Sequence, residues 1–254
     1  MIVFAHERQE RIARQVAEHG RAAVADLAVA LAVSEDTIRR DLRALASRGV
    51  VHKTHGGALA PDTARLGWRE REGVEADAKA AIGALAAGLV APGQSVVLDA
   101  GSTVLALARH LRARPLTVLT SSLDVAAVFD ADPDVELSLT GGDWDARSRY
   151  LTGSTALHAL GSRRADWAFL GTCALHRTAG ATSVTDRDAA VKRAMLAAAD
   201  RGVVLADRTK HARILPHLIA PLDTLYAVVT DEPATASDLD DLAGLRVLRA
   251  DTAA

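Results

Sequence analysis

The stretch SEDTIRRDLRALASRGVVHKTHGG, residues 34–57, decides how the first part of the chain folds. Ser34 is a typical N-cap, because its hydroxyl can accept a hydrogen bond from a free backbone N–H of the first helical turn. Ile38, Leu42 and Leu45 follow at spacings of four and three residues, so they lie along one side of a helix. The other sides carry arginines, which are either solvated or placed to meet phosphate.

The neighbouring segments predict a small helical domain around this helix. Residues 7–19 and 24–31 have the apolar periodicity of two short amphipathic helices, and a short turn joins the second of them to the helix that starts after Ser34 and ends at Gly49. Two β-prone pieces over 50–59 predict a hairpin. Three short helices and a hairpin are the layout of a winged helix-turn-helix domain, which we expect over residues 1–59.

The exposed positions of the third helix and of the hairpin form a candidate DNA-binding surface. In this motif the N-terminal part of the recognition helix enters the major groove, where arginine can bond guanine twice and Ser or Thr suits phosphate or a base. The candidate residues are Ser34, Glu35, Thr37, Arg39, Arg40 and Arg43 on the helix and Lys53 and His55 on the wing. The alternative is a solvated helix with internal ion pairs, such as one between Asp36 and Arg40.

Composition restricts the class of protein. Of 254 residues, 49% are apolar and 3% are aromatic, so aliphatic side chains must build the core. The net charge is −2, yet residues 1–57 hold nine Lys and Arg against seven acidic residues, a mild excess that favours nucleic acid only slightly. The single cysteine, Cys173, excludes an intrachain disulfide and a thiolate cluster, and the nine histidines show no ligand spacing. We therefore expect neither a metal site nor a cofactor.

The sequence shows no membrane or export signal. No apolar run approaches the roughly 18 residues that span a bilayer. The first residues, MIVFAHERQERIARQ, lack a signal-peptide core followed by a cleavage site. We expect a cytoplasmic protein without a membrane partner.

The character of the sequence changes after residue 59. Residues 60–74 are polar and contain Pro and Gly, which predicts a linker. Over 75–254 apolar strands alternate with helices, so we expect an α/β domain with a mostly parallel sheet covered on both faces. The expected strands are 95–99, 116–120, 135–139, 167–170, 203–206, 225–229 and 246–248, and the expected helices are 76–90, 104–111, 123–129, 188–199 and 238–242.

Polar loops follow several of these strands. Residues 99–103 read DAGST and lead straight into a helix, whose free N–H groups and hydroxyls could hold an anion. TSS at 120–122 and TGGD at 140–143 follow two further strands, and Asp207 and Lys210 follow another. Ligands bind at the carboxyl ends of the strands in an open parallel sheet, so the loops together favour a binding site. DAGST alone is also compatible with an ordinary strand-to-helix turn.

The chain resembles a known family over nearly its whole length. The segment VSEDTIRRDLRAL and the following HKTHGGA are similar to the DNA-binding head of the DeoR family of bacterial transcriptional regulators. DAGSTVLALARHL, LTVLTSSLDVAAVF, LTGG, DWAFLGTCAL, AAVKRAML and GVVLADRTKH resemble successive blocks of its C-terminal sensor domain. That domain is related in fold to ribose-5-phosphate isomerase and CoA transferases.

The resemblance implies a function and a set of ligand residues. Family members typically sense phosphorylated sugars or related metabolites, and repression released by a sugar phosphate is the commoner behaviour. Because one short head makes few contacts, we expect a dimer or tetramer on repeated half-sites of double-stranded operator DNA. By resemblance, a phosphate or sugar hydroxyl would be held by Asp99, Gly101, Ser102 and Thr103. The pocket would be completed by Thr120, Ser121, Gly141, Gly142, Lys192, Asp207 and Lys210.

Two other functions stay open at this point. The second loop reads TSSL where Asn often replaces the first Ser, and the last reads RTKHAR where Ser-Lys-Phe-Gly is common. A sensor without a working ligand site, serving only for assembly, is therefore one alternative. A sugar-phosphate isomerase or transferase is the other, because Asp99, Asp207 and Lys210 could exchange protons. No catalytic constellation is recognisable, so we expect a regulator rather than an enzyme.

Overall fold

A computed structural model gives the fold of two units of the chain, Met1–Glu75 and Ala76–Ala254. The structure describes residues 5–19, 21–47, 50–54, 56–59, 66–232, 239 and 244–251. Each unit has its own apolar core and is described separately below.

The first unit is a winged helix-turn-helix. Its elements are α1 (Ala5–His19), β1 (Arg21–Ala23), α2 (Val24–Leu31), α3 (Glu35–Ser47), β2 (His52–Lys53), β3 (Gly57–Leu59) and α4 (Trp68–Gly73). The expected helices and hairpin are present, and β2 and β3 pair antiparallel. Strand β1 was not expected, and it pairs with the other side of β3. Helix α4 lies in the segment expected to be a linker, whose residues 60–65 lie outside the described part of the chain.

The three helices α1 to α3 pack around one aliphatic cluster. Ile12 of α1, Leu27 of α2, and Ile38 and Leu42 of α3 are fully buried, so the stripe inferred from the sequence of α3 does face the core. Helix α2 ends because Ala32 adopts a left-handed conformation with φ of +52°, which turns the chain sharply into α3. The exposed face of α3 is therefore fixed relative to the wing.

The second unit is an α/β domain. Its helices are α5 (Ala76–Ala87), α6 (Ser102–His110), α7 (Leu123–Ala126), α8 (Ser154–Gly161) and α9 (Asp186–Ala197). Its strands are β4 (Ser95–Leu98), β5 (Leu116–Thr120), β6 (Val135–Leu139), β7 (Asp143–Asp145), β8 (Tyr150–Thr152), β9 (Ala165–Gly171), β10 (Ala174–His176), β11 (Gly180–Ser183), β12 (Ala199–Leu205), β13 (His217–Ala220), β14 (Ala227–Thr230) and β15 (Arg246–Arg249).

A seven-stranded parallel sheet forms the centre of this unit. The strand order is β15-β14-β12-β9-β4-β5-β6, and every neighbouring pair is parallel. Val97, Phe169, Val204 and Val228 are almost completely buried in the central strands, which is why these strands lack the alternation of a half-exposed sheet. The expected fold class, an α/β domain with a parallel sheet behind a winged helix-turn-helix, is confirmed.

Several smaller elements differ from the expectations. Strands β7 and β8 form a hairpin, β10, β11 and β13 form a separate antiparallel sheet, and α8 precedes β9; none of these was expected. Helix α7 ends at Ala126 because residues up to Phe129 continue in tighter turns. The helix expected over 238–242 falls almost entirely outside the described residues.

Two features are absent from the part of the chain that the structure describes. No helix there is long and apolar enough to cross a membrane. No group of three or more His, Cys, Asp or Glu side chains in the same residues is arranged to hold a metal ion.

Candidate functional site

The start of α3 is fixed by Ser34. The Ser34 Oγ accepts a hydrogen bond from the backbone N–H of Thr37 at 3.2 Å and lies 2.9 Å from the Thr37 hydroxyl. This is the N-cap arrangement predicted from the sequence. Because the cap and the buried stripe together fix the helix, the exposed side chains of its first turns point away from the core.

The arginine side chains on this face differ in their hydrogen-bond partners. Arg39 donates to Glu35 at 2.6 Å, and Arg43 donates to the backbone carbonyl of Arg39 at 3.2 Å. The Arg40 side chain is exposed and makes no ion pair or hydrogen bond with any residue that the structure describes, and the same holds for the Asp36 side chain. The alternative ion pair between Asp36 and Arg40 is therefore not formed. Arg40 is a guanidinium that can meet a ligand without first losing a partner.

A buried acid ties α3 to the first helix. Asp41 is 4% exposed and accepts from Arg8 Nε at 2.6 Å and from Gln9 Nε2 at 3.0 Å. The sequence pattern gives no sign of this role, because Asp41 lies outside the apolar stripe of α3. The contact links α1 to the side of the recognition helix that faces the core and so restrains its orientation.

The wing presents one of the two predicted cations. Lys53 ends β2 and is exposed. Gly57 in β3 has to be glycine, because a Cβ there would lie 2.2 Å from the carbonyl oxygen of Ala22 in β1. His55, the other wing residue of the prediction, lies outside the described residues.

In the second unit, strand register brings the polar loops to one edge. Leu98 of β4 is level with Thr120 of β5 and with Phe169 of β9. Leu205 of β12 is level with Gly171, the last residue of β9. The residues at or just after the ends of these strands therefore lie in order along the carboxyl edge of the sheet. We call this edge the polar edge, and its residues are Ser121, Asp99, Gly171 and Asp207.

The centre of the polar edge is a buried ion pair. Lys192 of α9 donates to Asp99, and it also donates to the carbonyl oxygen of Gly171 at 3.0 Å. The same Asp99 oxygen accepts the backbone N–H of Gly171 at 3.1 Å. Asp188, one turn before Lys192, brings a second carboxylate oxygen to 3.6 Å from its Nζ. Two carboxylates thus surround one ammonium, so this cluster repels an anion.

Burial and charge act against each other in this cluster. Burial by itself lowers the pKa of Lys192, but Asp188 and Asp99 outweigh it and raise that pKa, so the ammonium stays charged. Burial raises the pKa of Asp99 above its ordinary value, against the attraction of Lys192. A permanently protonated lysine is not a nucleophile, so Lys192 serves as a fixed cation.

Two residues that sequence reasoning missed, Asp188 and Tyr150, lie around this pair. Asp188 accepts from the hydroxyl of Ser183 at 2.6 Å, and its backbone N–H donates to Thr185 at the start of α9. Tyr150 of β8 is buried, and its pKa is raised by burial, by Asp188 and by Asp145. The spacing of Asp188 and Lys192, four apart on one helix, was the available signal for Asp188.

The start of α6 combines an unusual backbone with small polar side chains. Gly101 has φ of +150°, a conformation open to glycine, and it directly precedes Ser102 and Thr103. The first backbone N–H groups of a helix have no intrahelical acceptor, and the DAGST loop leads directly into α6 as the sequence indicates. Ser102 is half-buried and Thr103 is 8% exposed.

The two hydroxyls at the end of β5 differ. Thr120 donates to the carbonyl of Leu98 at 2.7 Å and accepts from the N–H of Ser122 at 3.1 Å, so its hydroxyl is engaged within the fold. Ser121 is fully buried, yet its Oγ has no hydrogen-bond partner among the described residues. A buried hydroxyl without a partner is costly, so Ser121 is the better candidate for a ligand contact.

The third loop is shaped by two glycines. Gly141 and Gly142 have φ of +68° and +106°, and a Cβ on Gly142 would lie 2.2 Å from the carbonyl oxygen of Thr152. The close approach brings the β7–β8 hairpin onto the polar edge, where the N–H of Leu151 donates to the carbonyl of Ser121 at 2.7 Å. These glycines therefore shape the edge through the backbone.

The far end of the polar edge is more basic. Asp207 is 1% exposed, and one of its oxygens accepts from Thr209, including its N–H at 3.0 Å. The other oxygen, Oδ2, has no hydrogen bond from any described residue, and Lys210 Nζ lies 4.0 Å from it. Lys79 of α5, also buried, acts on Asp207 electrostatically. Sequence reasoning missed Lys79 because it looked like a surface residue of an Ala-rich helix.

Two family models match the chain. The DeoR-like helix-turn-helix domain matches residues 8–64, and the DeoR C terminal sensor domain matches residues 74–232. Both agree with the resemblance that the sequence motifs indicate.

Individual relatives are similar over most of their length. The HTH-type transcriptional repressor GlcR of Bacillus subtilis (strain 168) is 32% identical over 250 residues, which cover 97% of this chain and 96% of the relative. The L-fucose operon activator of Haemophilus influenzae (strain ATCC 51907 / DSM 11121 / KW20 / Rd) is 29% identical and covers 88% of this chain and 91% of the relative.

A comparison with solved structures matches part of the chain. Ribose 5-phosphate isomerase A from Methanocaldococcus jannaschii matches with a TM-score of 0.39 and 17% identity, over 53% of each chain.

Proposed function

Because the chain belongs to the DeoR family of DNA-binding transcriptional regulators, we propose that it represses a carbohydrate-metabolism operon and that a phosphorylated sugar modulates its operator affinity. The observation that carries the effector part is the polar edge of the second unit. There Ser121 Oγ and Asp207 Oδ2 are buried without hydrogen-bond partners among the described residues. A bound ligand would satisfy both atoms.

In the first unit, we propose that α3 supplies the residues that contact the DNA bases. The guanidinium of Arg40, which has no partner among the residues that the structure describes, would bond a base edge, with Thr37 beside it at the capped end of the helix. Arg39 is held by Glu35, an exposed pair of about 0.3–0.5 kcal/mol, so it can be released to a phosphate at small cost. The remaining contacts we propose are Ser34 and Arg43 on the helix and Lys53 and His55 on the wing.

On the sensor side, the start of α6 would receive the phosphate. Free N–H groups and the hydroxyls of Ser102 and Thr103 suit a phosphate dianion, and Ser121 lies at the end of the next strand. The acidic cluster of Asp99 and Lys192 disfavours an anion and suits sugar hydroxyls instead. Gly101, Gly141 and Gly142 shape the edge, Thr120 supports it, and Asp207 and Lys210 close its far end.

Regulation would follow from assembly of two or more heads. A single recognition helix makes few base contacts, so specific binding needs a dimer or tetramer on repeated half-sites. An effector changes DNA affinity only by the difference in its own affinity for the two arrangements of the assembly. The sign of regulation differs among the relatives, which include a repressor and an activator by name.

A sensor used only for assembly is the competing function. The internal hydrogen bonds of Thr120 and Lys192 favour it, because both side chains are satisfied without a ligand. The unpartnered atoms of Ser121 and Asp207 favour a ligand.

The test starts from the DNA of the source organism. Sheared genomic fragments are selected on the immobilised full chain, and affinity for the enriched sequence is measured by fluorescence anisotropy. Arg40→Ala should weaken binding to that sequence by about 5- to 150-fold, which corresponds to about 1–3 kcal/mol for a lost arginine–base contact. The control Arg11→Ala removes an exposed α1 arginine paired with Glu7 and should leave affinity within about twofold.

The effector is tested separately by thermal shift. A ligand bound only by the folded protein raises the melting temperature, so glucose 6-phosphate, fructose 6-phosphate and ribose 5-phosphate are compared with the free sugars. A rise with at least one phosphate ester and none with its free sugar supports the proposal. No rise with any of them, together with intact DNA binding, supports the assembly-only sensor.

A further inference from the structure

One edge of the seven-stranded sheet has an open backbone. Strand β6 is the last strand in the sheet order, and β5 is its neighbour on the inner side. The Leu116 N–H donates to the carbonyl of Asp134 at 3.0 Å, so the even-numbered residues of this segment direct their backbone groups toward β5. Backbone groups alternate in direction along a strand, so those of Val135, Leu137 and Leu139 point away from the sheet.

Almost all of these outward groups lack a partner in the part of the chain that the structure describes. The Val135 N–H donates to the carbonyl of Asp132 at 3.2 Å, but the Val135 carbonyl and the backbone groups of Leu137 and Leu139 form no hydrogen bond with a described residue. Proline, lysine and bulges often protect an edge strand from pairing, and β6, with the sequence VELSL, has none of them. The backbone of β6 can therefore accept one more strand.

The hydrogen-bonding pattern of β6 fits a second copy of the same strand. Two identical strands related by a two-fold axis run antiparallel, and residues with outward backbone groups then face each other. With the axis at Leu137, the Leu137 residues of the two copies exchange two hydrogen bonds. The Leu139 N–H of each copy donates to the partner's Val135 carbonyl. Among the open groups of β6, this leaves the Leu139 carbonyl to solvent.

The charges beside the strand favour this register. Arg163, just after α8, is exposed and donates to the Ser138 hydroxyl at 3.1 Å, and neither Arg163 nor the exposed Glu136 has an ion-pair partner among the described residues. With the axis at Leu137, Ser138 faces the partner's Glu136 with Cα atoms about 4.5 Å apart, so Arg163 meets a carboxylate. An axis one residue earlier places Glu136 against the partner's Glu136, and an axis one residue later places Arg163 near the partner's Arg163.

The other face of β6 is apolar. Side chains alternate along a strand, so Val135, Leu137 and Leu139 lie on the face opposite to Ser138. Leu139 is 44% exposed, an unusual position for a leucine in a central sheet. In the same register the side chain of Leu139 lies against the partner's Val135, which removes apolar surface from water.

We propose that two copies of this chain pair through β6, so that their two seven-stranded sheets continue into each other across a two-fold axis at Leu137. The pairing rests on the proposed function, which requires at least two heads on repeated half-sites, and it specifies the surface on which the copies meet. Backbone pairing supplies the contact, and the ion pairs of Arg163 with the partner's Glu136 select the register.

Reversal of the two charges tests the register. Sedimentation velocity of the full chain over a range of concentrations measures the association constant of the copies. Glu136→Arg and Arg163→Glu each bring like charges together, so each should weaken association at least about tenfold. The double variant Glu136→Arg/Arg163→Glu restores opposite charges, and its association should return to within about threefold of the unsubstituted chain. The control Asp223→Arg makes the same charge change at an exposed site between β13 and β14 and should leave association unchanged.

A proline tests the backbone contact. The Leu139 N–H points outward and has no described partner, so Leu139→Pro removes no hydrogen bond within the described fold. It removes two hydrogen bonds between the copies, one from each Leu139. Association should therefore be about 5- to 150-fold weaker than in the control Leu139→Ala, which keeps the N–H. Far-ultraviolet circular dichroism of each variant checks that the fold is retained.

Each outcome decides a different claim. Unchanged association in Glu136→Arg and in Leu139→Pro overturns the pairing through β6 and leaves the proposed function standing, because the copies then meet on another surface. A double variant as weak as the single variants overturns the register, and with it the proposal. An unsubstituted chain that is monomeric both free and on its selected DNA overturns the pairing together with the assembly that the proposed function requires. Failure to select any DNA, with the charge reversal behaving as expected, overturns the proposed function and leaves the pairing standing.

Discussion

The buried pair of Lys192 and Asp99 gives the sharpest prediction for the sensor. Lys192→Met retains the volume of the side chain but removes the ammonium from a carboxylate whose side chain is 2% exposed. Breaking a buried ion pair from one side costs about 3–5 kcal/mol, because the remaining charge is left without compensation. With a urea m-value of about 2 kcal/mol/M, the unfolding midpoint of the second unit should fall by about 1.5–2.5 M.

The assay is urea unfolding followed by circular dichroism, carried out as a double-mutant cycle. Asp99→Asn alone should cost less, because Lys192 keeps Asp188 and the carbonyl of Gly171. The double variant Asp99→Asn/Lys192→Met should cost at least about 2 kcal/mol less than the sum of the single variants. Arg193→Met is the control on the same helix, since the pair of Arg193 with Asp186 is exposed and worth about 0–1 kcal/mol.

Two results would show that Lys192 and Asp99 are not a coupled buried ion pair. A cost below about 1 kcal/mol for Lys192→Met would show that solvent reaches Asp99 when the lysine is absent. Additive costs in the cycle would show that the two side chains do not stabilise each other. In either case the acidic cluster would not be the fixed, anion-repelling part of the polar edge.

Two further predictions concern the other buried acids. Asp41→Ala should destabilise the first unit by about 3 kcal/mol, because Arg8 and Gln9 lose their buried acceptor. Amide hydrogen exchange in α1 should accelerate correspondingly. The control Glu35→Ala removes only an exposed partner of Arg39 and should leave the exchange rates in α1 unchanged. The pKa of Asp207 is lowered in the folded protein, so its ionisation stabilises the fold above the ordinary value of 3.8, and this contribution is lost as the pH falls through the folded pKa. Urea midpoints measured from pH 5 to pH 2.5 should therefore fall less steeply for Asp207→Asn than for the unsubstituted chain, and parallel curves would contradict the assignment.

Much of the first unit could be predicted because its signals are local. Ser34 caps the helix that it was expected to cap, and Ile38, Leu42 and Leu45 are buried as their spacing requires. Strand β1 was missed because its three residues carry no periodicity and owe their conformation to pairing with β3. The partner of Asp41 is more than thirty residues away, so no local pattern indicates it.

The parallel sheet was also predictable, since most of its strands contain a short apolar run. Strands β5 and β6 begin and end at the expected residues. The hairpin β7–β8 and the sheet β10-β11-β13 were not, because strands such as Asp143–Asp145 are short and polar and are stabilised by distant pairings.

The candidate site was predictable in its loops but not in its charges. The predicted strand ends indicated that Asp99, Ser121 and Asp207 would lie along the same edge of the sheet. The roles of Lys79, Asp188 and Tyr150 depend on which helix or hairpin covers which strand, and this is a property of tertiary packing.

We propose that operator DNA and a phosphorylated sugar act on one assembly through linked equilibria. Linkage requires that the factor by which the effector changes DNA affinity equals the factor by which DNA changes effector affinity. The direct measurement is therefore both affinities of the full chain, for the selected operator with and without saturating sugar phosphate, and for that sugar phosphate with and without operator. We expect the same factor, about 5- to 150-fold, for the effect of the sugar phosphate on operator affinity and for the effect of operator on sugar-phosphate affinity, with weaker DNA binding in the presence of the effector. If a sugar phosphate binds the chain but leaves its operator affinity unchanged, the proposed linkage between the two ligands is wrong.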